Sequence, residues 1–187
     1  MADEVAEHVR VLREGDDASK AAAAEALHVL ARNNANSVLI AAAGAIPPLV
    51  ELLRDGSADA KRWAARALGC IAYYDDANKV LIAEAGAIPP LVELLRDGSA
   101  DAKWWAAWAL FSLARNNDAN AVAVAVAIGF DAVVELARDG EVYFYDEDAL
   151  VDYASPAAQR EAARILLREC LPHAPDEIAA ATATFLV

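Results

Sequence analysis

Trp63, Trp104, Trp105 and Trp108 are the residues of this chain best suited to gripping a partner, and Arg66 and Tyr73 lie among them. Their chemistry is stacking and charge rather than bond making. A guanidinium lies readily over an indole face in a cation–π contact, and exposed Trp and Arg dominate the energetics of binding surfaces. Helical residues four apart share a face, which pairs Trp104 with Trp108 and Arg66 with Cys70. A second aromatic group, Tyr143, Phe144 and Tyr145, runs directly into Asp146, Glu147 and Asp148. That combination suits a basic partner or a second copy of the chain. It also suits a lid that covers the end of a core and turns its acids to water.

The groups needed for catalysis do not assemble. His8, His28 and His173 are scattered, and no pair has metal-ligand spacing with Cys or Asp. His28 reads as a surface or packing residue. Cys70 has no histidine near it in sequence, so it lacks the base a nucleophile needs and reads as a buried or half-buried inert thiol. The acid clusters Asp16-Asp17, Asp75-Asp76 and Asp146 to Asp148 lack calcium-loop spacing. There is no glycine-rich phosphate loop and no G-x-S-x-G motif. The expectation is a protein that is not an enzyme and takes no cofactor or metal.

Charge and composition narrow the partners. The formal net charge of −13 opposes binding to nucleic acid or an anionic membrane surface, both of which need clustered Lys and Arg. The run Ala119 to Phe130 is apolar but too short to span a bilayer. Cys70 and Cys170 are far apart and belong to no paired motif, and Met1 to Glu4 is acidic with no apolar leader. A reduced, intracellular protein of the cytoplasm or nucleus is expected.

The elements that must position these residues are set by a repeat. Gly44 to Lys61 reads GAIPPLVELLRDGSADAK, and Gly86 to Lys103 is identical, 42 residues later. NNANSVLIAAAGAI (Asn33 to Ile46) corresponds to DDANKVLIAEAGAI (Asp75 to Ile88). Looser copies lie at Val9 to Lys20 and Ile128 to Gly140. Each full unit reads as three helices. A short alanine-rich helix ends at Gly44, which supplies a left-handed turn. Pro47 and Pro48 open a second helix, where a missing N–H costs little. Gly56 ends that helix, and Ser57 caps a longer third one with Ala64, Ala67, Leu68 and Ile71 as its buried stripe. The small alanines allow helices to approach closely.

The junction AGAIPPLVELLRDG followed by AARALGCIA (Ala64 to Ala72) or AAWALFSLA (Ala106 to Ala114) resembles the armadillo repeat family, in a consensus-like or plant- and algal-type form. HEAT repeats compete, but usually lack the short extra helix and the Gly-Ala-Ile-Pro junction. The resemblance covers roughly Val5 to Cys170 and implies an all-α, right-handed α-solenoid of about four three-helix repeats, with the third helices lining a concave face. The expected organisation is a single domain over 1–187. It comprises a partial repeat 1–34, repeats 35–76 and 77–118, a repeat 119–171 with an insertion at 141–154, and a C-terminal cap at 172–187.

Peptide-binding armadillo proteins carry a Trp on the third helix, an Asn four residues on, and often an acid three residues before the Trp. At the acid, Trp and Asn places this chain holds Trp105, Trp108 and Ser112 in one unit and Trp63, Arg66 and Cys70 in another. The outer units hold Ala22, Glu25, Val29 and Glu161, Arg164, Arg168. No Asn stands at the ladder position. The resemblance therefore implies a protein or peptide bound on the concave face by Trp63, Arg66, Cys70, Tyr73, Trp104, Trp105, Trp108 and Ser112. Trp105 and Trp108 are expected to be partly exposed there, and Trp104 either exposed or filling a gap between units. The rim insertion, Tyr143 to Asp148, is a secondary surface. A homodimer through the exposed aromatics is a further expectation. The alternative is an engineered or recently duplicated scaffold with no evolved ligand, which the letter-perfect duplication supports.

Overall fold

The computed structural model describes the backbone of residues 1–137 and the side chains to residue 128. The described residues form helices α1 (Ala2–Glu14), α2 (Asp17–Ala31), α3 (Asn34–Ala42), α4 (Ile46–Asp55), α5 (Ala58–Tyr73), α6 (Asp76–Glu84), α7 (Ile88–Asp97), α8 (Ala100–Ala114) and α9 (Asp118–Ala137). There is no strand among them. The order short, medium, long occurs twice, as α3-α4-α5 and α6-α7-α8, so the fold is an all-α repeat solenoid.

Local chemistry sets each boundary. Asp16, Ser57 and Ser99 accept hydrogen bonds from the backbone N–H of Ser19, Ala60 and Ala102, which caps α2, α5 and α8. Gly44 and Gly86 take φ of +78° and +79° at the ends of α3 and α6, a conformation that side-chain-bearing residues rarely adopt. Pro47-Pro48 and Pro89-Pro90 then start α4 and α7. The fourth unit departs from the three-helix pattern. Ile128 stands where Gly44 and Gly86 stand, and Asp131 and Ala132 replace the prolines. Nothing there turns the chain, and α9 runs unbroken through the position of the corner. The insertion 141–154, the last third helix and the cap 172–187 lie outside the described residues.

Three periodic devices bind one unit to the next. Leu27, Leu68 and Leu110 are buried with a lining of alanines, Ala64, Ala65, Ala106 and Ala107 among them, so α2, α5 and α8 stack side by side. Arginines at the ends of α1, α4 and α7 reach across. Arg13 donates to the Gly44 carbonyl (3.3 Å), Arg54 to that of Gly86 (3.2 Å) and Arg96 to that of Ile128 (2.7 Å). Asn36, Asn78 and Asn120 donate to the carbonyls of Leu30, Ile71 and Leu113, tying each first helix to the preceding third one. Lys79 is only 2% exposed. Its ammonium meets Asp76 and the Arg115 carbonyl, both at 2.7 Å, which compensates its burial.

Gly69 marks where α5 and α8 come closest. A Cβ there would lie 3.0 Å from Trp108 Cδ1 and 3.2 Å from the Ala109 Cα, a backbone atom that cannot swing aside. Gly69→Val is predicted to lower unfolding free energy by roughly 1–3 kcal/mol despite its better helix propensity, because overpacking outweighs it. Denaturant titration reads the loss directly.

Candidate functional site

The third helices α2, α5 and α8 bring the candidate residues together. α5 has one edge toward α8 and the other toward α2. On α5, Gly69 faces Trp108 of α8, while Cys70 faces back to α2, with Sγ 3.4 Å from His28 Nδ1. The positions assigned from the armadillo pattern follow this backward-facing edge. They are exposed on α2 (Ala22, Glu25, and Val29 at 59%), half-buried on α5 (Trp63, Arg66, Cys70) and largely covered on α8.

Two expectations are corrected by this geometry. Trp105 is only 6% exposed. Its ring lies under the Arg66 guanidinium (4.2 Å), 6.0 Å from the His28 ring and edge-on to Trp104 at 4.4 Å, and its N–H donates to Asp101 Oδ1 (3.1 Å). It fills the seam between units instead of facing the trough. Ser112 is fully buried, and its hydroxyl donates to the Trp108 carbonyl (2.8 Å), so no peptide can reach it in this arrangement. Both results have one cause: a backward-facing position is covered by the unit stacked against it.

The remaining candidates form a continuous half-buried ladder. Arg66 lies between the rings of Trp63 (5.0 Å) and Trp105 (4.2 Å). Trp104 stacks on Trp108 at 6.0 Å, and Trp108 on Tyr73 at 5.1 Å. Arg115 covers Tyr73 at 4.3 Å and donates to its carbonyl at 2.6 Å. Arg62 covers the other part of the Trp63 environment at 4.3 Å and is ion-paired with Asp59 (2.8 Å) and Asp101 (3.2 Å). Contacts of this kind hold the rings in place. The rim residues Tyr143 to Asp148 lie outside the described residues.

Arg62, Arg115 and the His28–Cys70 pair are not singled out by any local sequence pattern. His28 and Cys70 stand 42 residues apart, one more than the 41-residue spacing of α2 and α5. Burial, reinforced by Arg66 and Arg32, pushes the His28 pKa down to about 4. Burial raises the Cys70 thiol to about 11 against the pull of the same two arginines. At neutral pH the pair is an uncharged imidazole beside an intact thiol, so neither an imidazolium nor a thiolate is available for chemistry. Among the described residues no three His, Cys, Asp or Glu side chains converge as a metal site. No single described helix is long and apolar enough to cross a membrane.

The histidine has a pH signature. An unfolded chain takes up this proton as pH falls below about 6.5, whereas the folded one resists until about 4. Stability from this group is therefore full above pH 6.5 and lost as pH falls toward 4, by about 3 kcal/mol in the limit. His28→Leu is expected to flatten the stability profile in that window. Asp16 and Asp76, whose pKa values are lowered by the Ser19 and Lys79 hydrogen bonds, act below it. Urea titrations across pH 4 to 7 check the difference in slope.

The chain was compared with known proteins. The HEAT-repeat family model matches residues 8–111 and 46–138, and so covers well over half of the chain. None of the curated proteins matches. Among solved structures, an engineered protein superposes with a TM-score of 0.78 at 26% identity, over 96% of this chain and 67% of its own. A computationally designed armadillo repeat protein for modular peptide recognition does so with a TM-score of 0.73 at 26% identity, over 88% of this chain and 63% of its own. A designed armadillo repeat protein in complex with the peptide (KR)4 shares the fold, with a TM-score of 0.69 at 24% identity, over 97% of this chain and 80% of its own. The chain thus spans about two-thirds of the length of the first two. On its matched repeats and on the geometry of its helices, this chain belongs to the HEAT-repeat family and is built as an armadillo-type α-solenoid.

Proposed function

We propose that the chain is a non-catalytic interaction scaffold that holds an extended peptide, or a segment of a partner protein, across α2, α5 and α8. The observation that carries this reading is the ladder from Trp63 through Arg66, Trp104, Trp108 and Tyr73 to Arg115, half-buried and locked by mutual stacking. Rings fixed in advance lose little side-chain freedom when a ligand covers them, which lowers the cost of binding. The designed armadillo neighbours made for peptide recognition lend the reading support. The expected setting is the cytoplasm or nucleus, where thiols stay reduced.

The second reading is a duplicated or engineered scaffold without a ligand. It is favoured by the identity of residues 44–61 and 86–103, and by rings that already satisfy one another. Self-association through the same rings is the competing occupancy, and light scattering reads it.

Selection from a displayed peptide library separates these readings. The scaffold reading predicts recovered peptides whose binding falls about tenfold, or by about 1.4 kcal/mol, on Trp104→Ala, and is unchanged by Val38→Ala on the exposed surface of α3. Peptides indifferent to Trp104, or none recovered, would count against it.

A further inference from the structure

We infer that the outward face of α6 and α9 is a second docking surface, fitted to a basic amphipathic helix of a partner protein. It uses none of the ladder residues, so it stands apart from the trough reading. A helix at the surface normally turns its polar residues to water and its apolar ones inward. α1 does so: Val5, Val9 and Leu12 are buried, while Asp3, Glu4, Glu7, Arg10 and Glu14 are exposed. In α6 and α9 the polarity is partly reversed. Asn78, Lys79 and Ile82 of α6 are buried, as are Asn120, Ala121 and Val124 of α9. Facing out are Val80, Leu81, Val122 and Val126, each between 40% and 56% exposed, with Ala77, Ala119 and Ala123 beside them.

The reversal has a cause on the inner side. The asparagines turn inward to hold the Ile71 and Leu113 carbonyls, and the apolar residues on the opposite side are left facing water. It also recurs: Val80 and Val122 occupy one repeat position, 42 residues apart, and exposed Val38 of α3 holds it one unit earlier. α6 packs against α9, and Asn120 Nδ2 also donates to the Lys79 carbonyl at 3.3 Å. The two apolar rows therefore belong to one surface.

Size and charge decide what covers it. Two helices about 9 Å apart, each exposed along about 13 Å, offer roughly 250 Å². A stable dimer needs about 800 Å² from each partner, so this face is too small for a second copy. Two chains of net charge −13 also repel one another. A single helix in the furrow between α6 and α9 covers such a face with apolar side chains at i, i+3, i+4 and i+7. On the surrounding rim Asp76, Glu84 and Asp118 are exposed, and Asp75 caps α6. The cations of the region are held by the protein itself. Lys79 is buried on Asp76 and the Arg115 carbonyl. Arg54 donates to the Gly86 carbonyl, Arg96 to those of Ala127 and Ile128, and Arg115 to that of Tyr73. Rim and whole-chain charge both favour Lys and Arg on the partner's polar side.

Three synthetic peptides, each three heptads long, serve as probes. The first repeats Leu-Ala-Lys-Leu-Lys-Ala-Lys. The second has Glu for every Lys. The third is the first with proline replacing the first lysine of its middle heptad, which breaks the helix. Titration calorimetry at about 0.15 M salt should show the first binding at least about tenfold tighter than either of the others. Val80→Ser combined with Leu81→Ser should weaken it at least about tenfold. Val29→Ser, at an equally exposed apolar site on α2, should leave it unchanged. Serine at exposed helical sites costs little stability, and circular dichroism checks that the fold is kept.

Binding that ignores the Val80 and Leu81 changes is attraction by charge alone and overturns the site. Equal binding of the Glu peptide overturns the basic partner, and equal binding of the proline peptide overturns the helix. Failure of the first peptide to bind overturns the proposal outright. A dimer seen by light scattering that the Val80 and Leu81 changes dissolve would give the face to a second copy, and overturns it too.

Discussion

The closeness of α2, α5 and α8 is the constraint from which the rest of the structure follows. A single unit presents apolar surface on more sides than its own three helices can cover, so stability has to come from its neighbours. Close approach requires small residues at the seam, and Ala64, Ala65, Ala106, Ala107 and Gly69 provide them. Where alanine leaves a gap, an indole fills it. Trp105 occupies one between α5 and α8, and Trp108 lies in the space that the missing side chain of Gly69 leaves open. The aromatic content of the inner face therefore serves two ends: it cements the seam, and it presents fixed rings at the surface.

The repeat, the caps and the corners could be seen in the sequence because punctuation residues have local causes. Gly44 and Gly86 need a left-handed backbone, Ser57 and Ser99 accept N–H groups, and the prolines can only begin a helix. Even the loss of a corner in α9 is written in Ile128 and Asp131. The direction of individual side chains was less legible. A third helix in a stack touches its own unit, the unit before and the unit after, and it also borders the trough. One period of 3.6 residues cannot say which of these a given position meets. Ser112 and Trp105 were placed on the trough by resemblance, and the stack placed them in the seam. The third helices repeat first at 41 residues and then at 42. His28 is thus one step out of register with Cys70, which is why one faces forward, the other faces back, and they meet. Nothing local announces the Arg13, Arg54 and Arg96 clasps or the burial of Lys79, because their acceptors lie more than thirty residues away.

Charge is distributed to the same plan. Among the described residues, acids stand at helix starts, as Asp17, Asp59, Asp76 and Asp101 do, and in the Glu7–Arg10–Glu14 surface pairs. Guanidiniums gather inside, because a flat cation can lie between rings at modest desolvation cost where an ammonium or a carboxylate could not. Burial, helped by Arg66 and Arg32, holds His28 neutral, and burial keeps Cys70 protonated against the pull of those two arginines. The inner face thus carries fixed rings and guanidiniums, and its His28–Cys70 pair is uncharged at neutral pH.

Native-state hydrogen exchange tests most directly the claim that stacking between units carries the fold. α5 is covered by α2 on one side and α8 on the other, whereas α1 packs mainly on α2 within the first unit. The account predicts that the amides of Ala64 to Ile71 exchange slowest among the described helices, and those of α1 markedly faster. Equal protection of α1 and α5 would contradict it, since each unit would then be holding itself together without its neighbours.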